Sequence, residues 1–277
     1  MEKEFSKNCM IEIRRGNKSD VDLLENIETI IHKDGAIIIR NLIDNEFVQE
    51  LKANLMECIH EDEKRFGREY IFIGMVHALM VRRKSFRSVL EDEFVHKIMQ
   101  QILGHGTITH AFNSSSIPPG DTNYAGKLHV DSPRLIPEYI TNMVLTIALD
   151  PFHKENGAME IWPGSFDQTT VPSEDDFMSN MVRLDTLQSG DAILFNARCW
   201  HRGGINKTKD WKHAIALTAC RPYMRQQFDF PKMFDEKEEA DFSEELKQFM
   251  GYYVRTPKNI EEFLLSPEKR LYRSGQE

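Results

Sequence analysis

The chain has 277 residues, of which 40% are hydrophobic, and it carries a formal net charge of −9. This length and apolar content are enough for one large domain with its own core. The acidic balance argues against a nucleic-acid partner, because proteins that bind DNA or RNA carry a broad basic surface.

Neither the cysteines nor the apolar segments indicate a secreted or membrane-bound protein. The first residues contain no apolar signal segment, and no apolar run reaches the ~18 residues needed to span a membrane. Few cysteines without CxxC spacing favour free thiols in a reducing compartment. The chain has Cys9, Cys58, Cys199 and Cys220. These features predict a cytoplasmic protein without a membrane partner, and they leave the oligomeric state open.

The first third of the chain is predicted to combine short strands with helices. Residues 35–40 form an apolar run typical of a buried strand. Asp44 then occupies an N-cap position, and apolar residues recur behind it at helical spacing, which predicts a helix over about 45–64. The apolar run 70–75 predicts a further buried strand, and a second helix is expected near 86–102.

From about residue 106, short β-rich segments alternate with turn residues, a pattern typical of an antiparallel sandwich or barrel. The predicted strands are 107–112, 128–131, 143–149, 158–162, 192–195 and 214–218. Residues 241–250 again predict a helix. We expect a single domain with a helical N-terminal region over about 1–105, a β core over about 106–225 and a helical C-terminal extension over about 226–277.

Three side chains in the β region form a candidate metal site. In an extended segment, residues i and i+2 point to the same face, so the His129 imidazole and the Asp131 carboxylate share one space. A later apolar strand brings a second imidazole, that of His201. Two histidines and one carboxylate occupy one face of an octahedral metal and leave the other face open, as in non-heme Fe(II) oxygenases.

The strand that follows His201 shows an informative alternation. One face carries Lys212, Ala214, Ala216 and Thr218, and the other carries His213, Ile215, Leu217 and Ala219. The first set is small and polar with one cation, as expected for a pocket wall. The second set is bulky and is predicted to pack into the core.

Several motifs occur together in a fixed order: 129–131, 147–150, 155–159, 163–165, 190–191, 200–204, Asn206 and 221–223. In these motifs the chain resembles the phytanoyl-CoA dioxygenase (PhyH) family of Fe(II)/2-oxoglutarate-dependent oxygenases, over roughly residues 30–230. The resemblance implies a mostly β fold with flanking helices, built on a double-stranded β-helix (jelly-roll, cupin-like) core. It also implies Fe(II) bound by His129, Asp131 and His201, with 2-oxoglutarate and O2 as co-substrates.

One position departs from the family. Where the family places an arginine, eleven residues after the second histidine, this chain has Lys212. Lysine keeps the positive charge but lacks the bidentate fork that an arginine offers to a carboxylate. Arg221 is a rival anchor for 2-oxoglutarate, although its parity places it on the opposite strand face. Further candidates for the co-substrate pocket are Asn113, Thr146 and Trp162.

The resemblance implies that 2-oxoglutarate is decarboxylated to succinate and CO2 while an unactivated C–H bond of a small molecule is hydroxylated. Desaturation and ring closure are open to the same chemistry. We expect a modest-sized, largely apolar substrate such as a specialised metabolite. An acyl-CoA stays open, because Arg82, Arg83 and Lys84 could hold its phosphates. The alternative is a jelly-roll binding protein that does not turn over 2-oxoglutarate, which the lysine at position 212 supports.

Overall fold

The computed structural model describes residues 10–15, 20–67, 72–270, 272–273 and 275–276. Its strands are β1 (Glu12–Arg14), β2 (Ala36–Arg40), β3 (Ile108–Ser114), β4 (Asn142–Ala148), β5 (Glu160–Ile161), β6 (Val182–Arg183), β7 (Ala192–Asn196), β8 (His201–Arg202) and β9 (Ala214–Cys220). Its helices are α1 (Asp20–Asp34), α2 (Asn45–Phe66), α3 (Leu79–Arg82), α4 (Lys84–Leu90), α5 (Glu93–Leu103), α6 (Glu174–Asn180), α7 (Glu236–Glu239), α8 (Glu244–Met250) and α9 (Ile260–Phe263).

The strands form two sheets. The larger has the order β1-β2-β7-β4-β9-β3, and the smaller has the order β6-β5-β8. β1 pairs with β2 in parallel, whereas the other strand pairs are antiparallel. The large sheet is therefore mixed, and helices hold more of the described residues than strands do. The flanking helices are as predicted, but the predicted predominance of β structure is wrong.

The large sheet has one face toward the helices and one toward the small sheet. On β9, Ile215, Leu217 and Ala219 join the cluster formed with the helices. Ala214, on the opposite face, joins a second cluster that includes Ile161 of the small sheet. The alternation predicted for this strand is thus confirmed. The space between the two sheets is where the candidate site lies.

Of the two helices predicted in the first third of the chain, the helix over 45–64 agrees closely with α2, whereas the helix over 86–102 does not form as one unit. Asp44 caps α2, because its side chain accepts a hydrogen bond from the Phe47 amide at 2.8 Å. The helix predicted over 86–102 is two helices, α4 and α5. Asp92 separates them, since its carboxylate accepts from the amides of Phe94 and Val95 and starts a new helix there.

Two predicted strands do not form as expected. Of the segment 128–131, only His129 pairs, in an isolated bridge to His201. In the segment 70–75, residues 72–74 form turns, and Tyr70 and Ile71 lie outside the described residues. The N-terminal segment and Cys9 lie outside them as well, whereas Cys58, Cys199 and Cys220 are buried free thiols. Within the described residues, no helix combines the length and the apolar character that crossing a membrane requires.

A partly buried ion cluster joins the sheet to α2 beside the candidate site. The Asp150 carboxylate accepts hydrogen bonds from Lys52 Nζ at 2.5 Å, the His213 amide at 2.8 Å and His213 Nδ1 at 2.7 Å. Burial raises the pKa of Asp150, but these donors outweigh it and lower that pKa to about 2. The ionised carboxylate therefore stabilises the folded chain.

We expect this cluster to make stability depend on pH in the acid range. A carboxyl group with a depressed folded pKa contributes stability above its unfolded pKa of about 3.9, and the contribution is lost as pH falls toward the folded value of about 2. Urea unfolding should show Asp150→Asn to be less stable than wild type at pH 7, with the difference shrinking between pH 4 and 2. Asp185→Asn, at an exposed turn, is the matched control. A pH-independent difference would contradict the prediction.

Candidate metal and co-substrate site

The predicted metal ligands converge on one point between the two sheets. His201 begins β8, and its amide and carbonyl exchange two 3.0 Å hydrogen bonds with those of His129. The Asp131 amide donates to the carbonyl of Ala197 at 2.9 Å. The Asp131 carboxylate lies 3.4 Å from His129 Nε2 and 3.5 Å from His201 Nε2. The side chains of His129 and Asp131 therefore point into the same space, as their i, i+2 spacing predicted, and the backbone bridge brings His201 beside them.

Each imidazole is held by its second nitrogen. His129 Nδ1 lies 2.6 Å from the Lys127 carbonyl, and His201 Nδ1 lies 3.0 Å from the Cys199 carbonyl. A carbonyl can only accept, so Nδ1 of each ring carries a proton, and Nε2, the atom that faces Asp131, is the nitrogen available to a metal. Burial also lowers the pKa of His201 to about 4, against the opposing charge of Asp131. A neutral imidazole is the form that ligates a metal.

The three side chains fit an Fe(II) ion by donor type and by spacing. One donor atom from each of them lies within 4.8 Å of the other two. The Lys127 and Cys199 carbonyls, which hold the Nδ1 atoms, already fix the ring orientation that ligation needs. By residue type His129, Asp131 and His201 match the ligand set of non-heme Fe(II) centres, and all three line one cavity.

That cavity has a volume of about 340 Å³ and is bounded by the triad and by β3, β4, β7 and β9. Much of its wall is apolar. The larger apolar side chains are Met75, Tyr124, Val144, Phe152, Met159 and Phe195. None of these residues was predicted as a site residue, because they are scattered along the chain and resemble ordinary core positions.

Lys212 contributes a buried cation to the same cavity. The residue is 2% exposed. Its Nζ donates to the Gly157 carbonyl at 3.2 Å and lies 4.3 Å from the centre of the Phe152 ring. Among the described residues it forms no ion pair. Burial lowers the pKa of Lys212 to about 7, although the charge of Asp150 opposes this shift. An anionic ligand would supply the charge partner that the described part of the chain does not.

Asn113 and Thr146 also line the cavity, whereas Trp162 does not. The Asn113 side chain is already engaged: its Oδ1 accepts from the Ala78 amide at 3.1 Å, and its Nδ2 donates to Gln227 at 3.1 Å. Thr146 lies on β4 with its side chain on the cavity face.

Arg221 lies outside the cavity and serves a different part of the molecule. Its guanidinium donates to the carbonyls of Ile140 at 2.8 Å, Leu103 at 3.0 Å and Ile102 at 3.4 Å. It also stacks over the Tyr139 ring at 4.0 Å. These contacts tie the end of α5 to the chain before β4. The placement does not support Arg221 as an anchor for 2-oxoglutarate.

Three other arginines form ion pairs with neighbouring carboxylates. Arg202, which lines the cavity, donates to Glu160 at 2.8 Å and to both oxygens of Glu174. Arg82 and Arg83, the core of the basic patch, pair with Glu57, Glu61 and Asp62. The suggestion that this patch holds the phosphates of an acyl-CoA therefore loses much of its support, because both of its arginine charges are already paired.

The chain is similar in sequence to proteins from bacteria and fungi, and similar in fold to a solved bacterial structure. Rv1501 of Mycobacterium tuberculosis, an uncharacterized protein, is 24% identical over 276 residues, which cover 96% of this chain and 100% of that protein. Dioxygenase aneA of Aspergillus aculeatus is 26% identical over 227 residues, 73% of this chain and 74% of that one. The crystal structure of AviO1 from Streptomyces viridochromogenes has a similar fold, with a TM-score of 0.58 and 18% identity over 72% of this chain and 96% of AviO1.

The family itself is identified by a sequence profile. The profile described as Phytanoyl-CoA dioxygenase (PhyH) matches residues 31–214. This span is more than half of the chain, and it contains His129, Asp131, His201, Lys212 and the cavity strands β4 and β7. The chain therefore belongs to the phytanoyl-CoA dioxygenase (PhyH) family of oxygenase enzymes.

Proposed function

We propose that this protein is an Fe(II)- and 2-oxoglutarate-dependent oxygenase that hydroxylates an unactivated C–H bond of a small molecule, on a core of the jelly-roll type. The observation that carries the proposal is the His129–Asp131–His201 cluster opening into a cavity that also holds the buried cation of Lys212. Membership of the PhyH family supports the same reaction class.

The three predicted metal ligands and Lys212 have separate roles in this proposal. His129, Asp131 and His201 would hold the iron, which when bound supplies the coupling of O2 and 2-oxoglutarate consumption to C–H oxidation. Lys212 would bind the carboxylate of 2-oxoglutarate that lies far from the metal. The Nδ1 contacts of both histidines keep their Nε2 atoms aimed at one point, which preserves the ligand geometry during turnover.

The cavity wall favours a substrate with an uncharged, largely apolar reacting part. Of the two basic side chains beyond the histidines, Arg202 is paired with Glu160 and Glu174, and Lys212 would be used by 2-oxoglutarate. A second anionic group near the metal would then lack a partner and would lose its hydration without compensation. A specialised metabolite of modest size meets this requirement.

The deciding experiment is a coupled turnover assay. Protein loaded with Fe(II) under anaerobic conditions should convert 2-oxoglutarate to succinate on admission of O2, at least slowly without substrate and faster with a pool of apolar metabolites. The matched control is Asp131→Ala treated in the same way. Stoichiometric iron without any succinate would instead favour the jelly-roll binding protein, the alternative that the lysine at position 212 raises.

We also predict that the protein does not bind nucleic acid. The net charge of −9 opposes approach to a phosphate backbone, and Arg82 and Arg83 are occupied by acidic neighbours. Fluorescence anisotropy with labelled single-stranded and double-stranded DNA and RNA should show no saturable binding at physiological ionic strength. Salt-sensitive binding in the micromolar range would contradict this prediction.

A further inference from the structure

The metal ligand Asp131 is followed by chain that has little pairing of its own. The amides of Asp131 and Ser132 both donate to the Ala197 carbonyl, at 2.9 and 3.1 Å. The chain then runs without helix or strand from Pro133 to the start of β4. A carboxylate that must meet two histidines at a fixed distance therefore depends on contacts from elsewhere to hold its backbone in place.

Arg198 supplies those contacts. It is 8% exposed, and its guanidinium donates to the carbonyls of Pro133 at 2.6 Å and Ser132 at 3.5 Å, directly after Asp131. The same group donates to the carbonyls of Phe166, at 3.1 Å, and Gln168. One planar guanidinium thus joins two carbonyls that follow Asp131 to two carbonyls of the 3₁₀ turn at Ser165–Asp167 and its C-cap.

The hydrogen-bond partners of this buried guanidinium are all uncharged. All four guanidinium partners are carbonyls, and none of the described residues offers it a carboxylate. Arginine cannot lose its charge to relieve the cost of burial. An apolar side chain would fill the position with less desolvation, so the guanidinium is better explained by the segments that it orients than by stability alone.

The turn that carries Arg198 also carries the third ligand. Asn196 Oδ1 accepts from the Arg198 amide at 3.0 Å, and the Asn196 carbonyl accepts from the Cys199 amide at 2.8 Å. The Cys199 carbonyl in turn holds His201 Nδ1. This short turn therefore makes two contacts with the site: Arg198 holds the backbone that follows Asp131, and the Cys199 carbonyl holds the imidazole of His201.

We propose that Arg198 is a positioning residue for the metal centre, acting through the Ser132 and Pro133 carbonyls to set the distance of the Asp131 carboxylate from His129 and His201. The proposal rests on the metal site of the proposed function. It assigns to Arg198 no contact with metal, co-substrate or substrate.

The test is metal affinity of Arg198→Met, measured on the full chain with Co(II) as the probe. Methionine replaces the aliphatic stem of the side chain and removes the guanidinium that makes the four hydrogen bonds. Loss of a supporting contact around a metal site typically weakens metal binding by about 10- to 100-fold, and we expect a loss of that size by calorimetric titration. The visible absorption bands of bound Co(II) should also shift, because they report ligand geometry, which a purely structural role would not change.

Arg221→Met is the matched control, because Arg221 also binds three backbone carbonyls but does so at the far end of the same segment, next to Ile140. We expect the midpoint temperature of thermal unfolding of the metal-free protein to be lower in both variants than in wild type. The affinity for Co(II) and the Co(II) spectrum should change only in Arg198→Met. Wild-type affinity in Arg198→Met, or an equal loss in Arg221→Met, would overturn the proposal.

Two further comparisons keep the result interpretable. If Arg198→Met does not fold, Arg198→Lys is the variant to measure. It should weaken Co(II) binding several-fold, because an ammonium has too few donors for four carbonyls. An unchanged Co(II) affinity and spectrum in Arg198→Lys would overturn the proposal. If His201→Ala binds Co(II) as tightly as wild type, the metal site itself is wrong and the proposed function fails with it. Normal binding by wild type and by Arg198→Met, with loss in His201→Ala, refutes the role of Arg198 alone.

Discussion

Replacing His201 with alanine is expected to reduce bound iron to background and to abolish succinate formation with it. The imidazole is one of three ligands, and its Nε2 faces Asp131 at 3.5 Å with Nδ1 tied to the Cys199 carbonyl. No other histidine of the described residues belongs to the cluster apart from His129. The remaining His129 and Asp131 would leave four or more positions to water, which is too weak a site to retain Fe(II) at micromolar concentration.

Iron per chain, measured by elemental analysis after anaerobic loading and desalting, checks this prediction. Asp131→Ala should behave like His201→Ala. His153→Ala is the matched control, because its imidazole is exposed on a loop outside the cluster, and it should retain iron at the wild-type level. Normal iron in both Asp131→Ala and His201→Ala would show that the metal, if any, is bound elsewhere.

The features that could be predicted from the sequence are those fixed by local periodicity. Apolar residues at helical spacing behind Asp44 gave α2, and the alternation over 212–218 gave the two faces of β9. The spacing of His129 and Asp131 indicated a shared face, which the structure shows, although the predicted strand is only a bridge. In each of these cases the sequence neighbours alone decide which way the side chains point.

The features that could not be predicted depend on contacts between distant segments. Arg198 and Arg221 look alike in the sequence, yet one holds the chain next to Asp131 and the other holds the end of α5. In the sequence, Arg82 and Arg83 look like unpaired surface charges, whereas in the structure both form ion pairs with Glu61 of α2. No local pattern reports such partners, because the pairing is set by how helices and loops pack in three dimensions.

Replacing Lys212 with alanine is expected to weaken 2-oxoglutarate binding by two orders of magnitude or more. The ammonium is buried against Phe152 and Gly157 with no ion pair among the described residues, so the far carboxylate of the co-substrate would be its charge partner. Removing one member of a buried charge pair costs about 3–5 kcal/mol, which corresponds to roughly 10²- to 10³-fold or more in affinity. Calorimetric titration of the Mn(II)-loaded protein measures this directly, and Arg221→Met should bind 2-oxoglutarate as wild type does.

The pH dependence of this affinity separates a charge partner from a packing residue. Burial lowers the pKa of Lys212 to about 7 in the free protein, whereas a bound carboxylate would raise it. Only the protonated lysine binds, so 2-oxoglutarate affinity should be constant below pH 7 and fall by up to about tenfold per pH unit above it. Lys212→Arg stays protonated throughout, and it should bind the co-substrate with little change between pH 6.5 and 8.5. If Lys212→Arg loses affinity with the same slope as wild type, another group titrates and Lys212 is not the anchor.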